Sequence, residues 1–172
     1  TLQSGLAIQK IGSDPLMRSE FYTLFGDIAF RQNRTEEAFA YYDKALENNP
    51  QNYGALNNYS YYLALLGKNL DKAERMSGEV IKANPDNATY LDTYAWVYFK
   101  QGRYSLARLY LKKALDLSKE ASAEMYEHYG DVLAVTGNES EAVGWWKKAV
   151  DAGGDSEILH RKIAEKRYIG NE

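Results

Sequence analysis

A spacing of 35 residues runs through this sequence and limits what it can fold into. Prolines occur only at Pro15, Pro50 and Pro85, each among turn-forming residues, in SDP, NNPQN and NPDN. A series of small residues, Gly26, Ser60, Ala95 and Gly130, steps by 34, 35 and 35. A series of alanines, Ala38, Ala73, Ala107 and Ala142, steps by 35, 34 and 35. Independent series that share one period mark a repeat architecture, whose units bury their apolar faces against neighbouring units.

Between these anchors the apolar spacing is helical. Leu91, Tyr94, Ala95 and Tyr98 follow the i, i+3, i+4, i+7 rule for one buried stripe, and Ala107, Leu111, Ala114 and Leu115 repeat it. Asn33, Gly67, Gly102 and Gly137 follow the first helix of each unit and suit the left-handed conformation that ends a helix. Each unit is therefore predicted to be helix, tight turn, helix. The expected fold is all-α, a right-handed solenoid of about four units in one domain spanning 1–172. The units are placed at 19–52, 53–87, 88–122 and 123–154. Residues 1–12 are expected to be the last helix of a preceding unit, and the chain, which starts at Thr1, is read as a piece of a longer one. A capping helix is expected over 155–168, started by Asp155 or Ser156. Its Leu159, Ile163 and Ala164 would face inward, with Lys162 among the charged residues elsewhere.

Composition excludes several classes of function. The net charge of −3 and the lack of a Lys/Arg-rich run argue against a nucleic-acid surface. Apolar stretches such as Tyr61 to Leu66 are far too short to span a bilayer. With no cysteine there is neither a disulfide nor a thiolate metal site. No phosphate loop, dinucleotide fingerprint, HExxH or nucleophile elbow occurs, so neither enzymatic activity nor a cofactor is expected. Glu124, His128 and Asp131 at i, i+4 and i+7 are the nearest approach to a metal-binding or acid–base face. An acidic surface stripe is the favoured reading of them. Of the adjacent Trp145 and Trp146, Trp146 takes a core position, and Trp145 is expected half-exposed against the terminal helix.

The pattern resembles the tetratricopeptide repeat. Its large, large-small, aromatic and alanine positions are matched by Tyr22, Phe25-Gly26, Ala38, Tyr42, Ala45 and Pro50 in the first unit. The third unit matches with Leu91, Tyr94-Ala95, Tyr98, Gly102, Ala107, Leu111 and Ala114, and the fourth with Tyr126, Tyr129-Gly130, Leu133, Gly137, Ala142, Trp146 and Ala149. The second departs from it, with Ser77 and Val80 at the expected large and alanine positions and a turn one residue longer. The resemblance implies that the small residue of each first helix faces the alanine of the second.

It also implies that the first helices line a concave face that binds a protein or peptide. Carried over by position, the partner-binding candidates are Asp27, Phe30, Arg31, Asn57, Tyr61, Asp92, Trp96, Phe99, Lys100, Glu127, His128 and Asp131. A face of aromatics and carboxylates should favour basic or apolar segments. The function expected is a protein-interaction scaffold. The alternatives are a self-association module, or the non-catalytic part of a larger enzyme or envelope lipoprotein. The segments LNNYSYYLALLG and NPDNATYLDTYAWVYFKQGRYSLA are similar to family members of bacterial, Bacteroides-like cell envelopes. That similarity implies a periplasmic or outer-membrane setting, the other expectation being cytoplasmic.

Overall fold

A computed structural model describes residues 14–170, and the expected leading helix over 1–12 lies outside them. The described residues form nine α-helices and no strand. They are α1 (Pro15–Arg31), α2 (Thr35–Asn48), α3 (Tyr53–Leu65), α4 (Leu70–Ala83), α5 (Ala88–Lys100), α6 (Tyr104–Leu117), α7 (Ala123–Val135), α8 (Glu139–Asp151) and α9 (Glu157–Glu165). The first eight form four antiparallel pairs stacked as a helical solenoid, and α9 covers the last.

Side-chain caps start the first helix of every pair. Asp14, Asn52, Asn87 and Ser122 accept from the backbone N–H of Leu16, Ala55, Tyr90 and Met125 at 2.9 to 3.1 Å, and Ser156 does the same for Leu159 at the start of α9. Each such cap satisfies one of the donors that a helix start leaves orphaned. The second helices lack a side-chain cap and are instead delivered by the turn before them. In all four turns the left-handed residue, Asn33, Gly67, Gly102 or Gly137, is followed by an N–H that reaches back five residues. Arg34, Lys68, Arg103 and Asn138 thus donate to the carbonyls of Ala29, Leu63, Tyr98 and Leu133 at 2.9 to 3.0 Å. The second unit absorbs its extra turn residue by placing Asn69 in the left-handed region too, with φ 47°. Asparagine tolerates that conformation better than most residues, so α4 still starts in register.

At the two glycines of the first-helix series, packing within a pair sets a small residue against a large one. A Cβ added at Gly26 would lie 2.9 Å from the Tyr42 ring, and one at Gly130 would lie 2.6 Å from Trp146. By register, the equivalent residues of the middle units are Ser60 and Ser77, and Ala95 and Leu111. The expectation that the small residue chiefly meets the alanine of the second helix is therefore corrected at the two glycines. There it makes room for the aromatic four residues after that alanine. The alanines Ala38, Ala73, Ala107 and Ala142 are fully buried.

Ala95→Leu or Ala107→Leu should destabilise the chain by about 1–3 kcal/mol, since both methyls are completely enclosed. Lys112→Ala removes only an exposed i,i+4 ion pair with Asp116 and should cost under about 0.5 kcal/mol. Thermal unfolding of the three variants checks this, and a costlier Lys112 change would place the repeat register one position off.

Candidate functional site

The first helices α3, α5 and α7 present equivalent positions to one side, and their side chains join across units. Asn57, Asp92 and Glu127 stand three residues before the small position; Tyr61, Trp96 and Asp131 stand one after it. Asp92 Oδ1 lies 2.9 Å from His128 Nδ1, linking α5 to α7. Trp96 stacks on His128 at 3.9 Å and on Phe99 at 4.6 Å. Tyr61 brings its ring to 6.3 Å from His128 and donates its hydroxyl to Glu124, linking α3 to α7. The result is one aromatic and acidic patch shared by three units.

Packing this tight buries much of what the sequence marked as contact surface. Asn57, Asp92, Trp96, Phe99, His128 and Asp131 are all buried, whereas Asp27, Phe30, Tyr61, Lys100 and Glu127 are half-buried and Arg31 is exposed. Two buried polar atoms in this region have no hydrogen-bond partner, Asn57 Oδ1 and Trp96 Nε1.

Asp27 and Asp131 follow the two tight glycines and share a local duty. Asp27 accepts from the Tyr42 hydroxyl and from Asn58 Nδ2 at 3.1 Å. Asp131 accepts from Trp146 Nε1 at 2.9 Å. A Gly-Asp step thus admits the aromatic of the second helix and then bonds its polar head. In the middle units that residue is Ser77 or Leu111, and Tyr61 and Trp96 replace the aspartates. Phe30 stacks on Tyr62 at 3.8 Å, so the first unit is tied to the second away from the His128 cluster.

The terminal helix takes part in this patch, which sequence reasoning missed. Lys162, expected on the outer face of α9, is only 4% exposed. Its ammonium donates to Glu127 Oε1 and Asp131 Oδ2, both at 2.7 Å. The signal was available: Lys162 is one turn beyond Leu159, inside the buried stripe rather than opposite it. After Lys166, whose left-handed backbone ends α9, the Tyr168 ring packs edge-on against Phe99 at 5.3 Å. His160 faces solvent, as its position predicts. Trp145 is half-buried but packs on Tyr126 and Tyr129 of its own unit, at 5.8 and 4.9 Å.

Burial and charge act together on the titrating groups. Burial would push the His128 imidazole below its ordinary value, but Asp92, with Glu124 and Asp131 behind it, outweighs burial and raises it. Burial pushes the Asp131 carboxyl up to about 6, against the pull of Lys162. Both folded values lie above the ordinary ones of 6.5 and 3.8. The native state therefore binds protons more readily than the unfolded chain does. These two groups favour folding most at low pH, and their contribution is lost as pH rises through their folded values. Among the described residues no group of three or more His, Asp or Glu is set to hold a metal ion, and no helix is long and apolar enough to cross a membrane. Chemically, the patch offers carboxylates, aromatic faces and one indole N–H.

Comparison with known proteins points the same way. Family models described as tetratricopeptide repeat match residues 19–52, 41–75, 67–122 and 93–157. A TPR repeat-containing protein of Methanocaldococcus jannaschii is 32% identical over 134 residues, covering 78% of this chain and 23% of that protein. The chain thus spans about a quarter of that relative's length. The solved structure of a tetratricopeptide repeat protein from Parabacteroides merdae superposes with a TM-score of 0.74 at 22% identity, covering 86% of this chain and 57% of that one. YrrB, described as a TPR protein with an unusual peptide-binding site, superposes with a TM-score of 0.58 at 23% identity, covering 85% and 74%.

Proposed function

The chain belongs to the tetratricopeptide repeat family, and we propose that it is a non-catalytic scaffold whose concave face captures a basic or apolar segment of a partner protein. The fold supports a role in protein interaction generally. The observation that carries the finer reading is the patch joining Tyr61, Trp96, Asp92, His128 and Glu124 across three successive units. A ligand laid along it would touch side chains whose relative positions are set by helix packing, and such preorganisation lowers the cost of binding. The peptide-binding site in the description of YrrB supports the same use of the scaffold.

Interface energy concentrates in a few anchors, of which aromatic residues are the commonest. Tyr61 is the accessible aromatic of the patch, whereas Trp96 is enclosed and its truncation would confound binding with folding. Tyr61→Ala should weaken a partner isolated by pull-down at least about tenfold, roughly 1.4 kcal/mol, with the helical spectrum unchanged. Glu124→Gln, at the patch carboxylate without a cation partner, should act more through the association rate, an effect that shrinks in high salt. Titration of purified partner against each variant reads both. Unchanged affinity for Tyr61→Ala would move the binding site off the concave face.

A further inference from the structure

We propose that the pocket between Tyr61, Trp96, Glu124 and Tyr168 receives a single lysine or arginine side chain from the bound segment. This deepens the groove reading and rests on it. The pocket has a volume of about 300 Å³, at the small end for ligand sites and suited to one side chain rather than a folded element.

One cation already occupies its inner end. The Lys162 ammonium sits between Glu127 and Asp131, with its charge 5.4 Å from the centre of the Tyr168 ring. The chain thereby shows in its own structure the recognition it offers: carboxylates and an aromatic face for the charge.

At the outer end Glu124 has the same aromatic surroundings but no cation bonded to it. Glu124 accepts the Tyr61 hydroxyl, and among the described residues no Lys, Arg or His nitrogen lies within 4 Å of its carboxylate. Trp96, 6% exposed and lining the pocket, has an indole N–H without an acceptor. A basic side chain entering between the Tyr61 and Tyr168 rings supplies the cation that Glu124 lacks, and Trp96 beside it reports its arrival. The charged groups lining the pocket are Glu124, Glu127 and Asp131 on one side, and His128, Lys100 and Lys162 on the other, with Asp92 bonded to His128 behind the wall. Lys162 holds Glu127 and Asp131, and Asp92 holds His128, which leaves Glu124 as the carboxylate of the lining without a cation within 4 Å. An acidic side chain would meet it unfavourably.

The test titrates the full chain with three probes, acetyl-Gly-Xaa-Gly-amide with Xaa as lysine, norleucine or glutamate, following the indole N–H resonance of Trp96 by NMR. The lysine probe should move that resonance saturably, and at least about threefold more tightly than norleucine, with glutamate weakest. Glu124→Gln should erase the preference for lysine over norleucine. Glu124 is exposed, and glutamine can still accept the Tyr61 hydroxyl, so this variant should melt like the parent. A second reading on the unmodified chain is salt, which should weaken the lysine probe and leave norleucine unaffected. Equal binding of lysine and norleucine, or a Trp96 resonance that ignores all three probes, overturns the proposal. If those results accompany a Tyr61→Ala chain that still loses its partner, the groove reading stands and only the cation pocket falls. If Tyr61→Ala also leaves partner affinity unchanged, both fall.

Discussion

Lys162→Met should lower the stability of the folded chain by about 3–5 kcal/mol at neutral pH, although it keeps most of the side chain's bulk. The ammonium it removes is buried and bonds two carboxylates from α7 at 2.7 Å each. Without it, Asp131, itself 1% exposed, keeps only the Trp146 indole as a donor. An uncompensated buried charge costs far more than the pair contributes when intact, because desolvation has already been incurred by both ions. Protonation offers Asp131 an escape. Its folded pKa is about 6 with Lys162 present, and losing that cation can only raise it further. The variant's deficit should therefore shrink as the pH falls through and below 6. Lys162→Met combined with Asp131→Asn should recover much of the loss, since asparagine can still accept from Trp146 without carrying charge. Denaturant unfolding of both variants at two pH values measures this. A single variant as stable as the parent would show that α9 does not seal the last unit.

The solenoid was legible in the sequence because its determinants are local and repeated. Capping residues, left-handed turn positions and apolar stripes recur every 34 or 35 residues, and each acts within a few residues of itself. The two glycines were legible as small, but their reason was not. What Gly26 and Gly130 make room for is 16 residues further on, at Tyr42 and Trp146, and only the packed pair shows it. The patch was legible by position and not by exposure. Asp92, Trp96 and His128 lie on one side of the solenoid, yet each is covered by residues of the neighbouring unit 30 or more positions away. Lys162 was misassigned for a related reason. A lysine in an amphipathic helix is normally solvated, and its burial depends on two carboxylates from α7 meeting it. Tyr168 escaped notice because the turn after Lys166, which brings it back to Phe99, has no glycine to announce it.

The adjacent tryptophans give the second large effect, and they should behave oppositely. Trp146→Ala should cost about 3–5 kcal/mol, the usual range for emptying a fully enclosed aromatic site. Trp146 is completely buried between α7 and α8, so close to Gly130 that any Cβ there would clash with its ring. Alanine at 146 leaves a cavity against Gly130, which has no side chain to fill it. It also strips Asp131 of its indole donor and loosens the seat of Lys162. Trp145 is half-buried, stacks on Tyr126 and Tyr129 and carries Lys148 over its ring at 3.9 Å, all on the surface of one unit. Trp145→Ala should cost only about 1 kcal/mol, the scale of an aromatic contact with a partly exposed cation–π pair. Because solenoid units contact only their neighbours, the Trp146 damage should stay in α7, α8 and α9. Hydrogen exchange should then show faster opening of those three helices, with α1 to α4 protected as in the parent. Equal losses for the two tryptophans, or protection lost evenly along the chain, would mean that the fourth unit is not held by the Gly130–Trp146 contact.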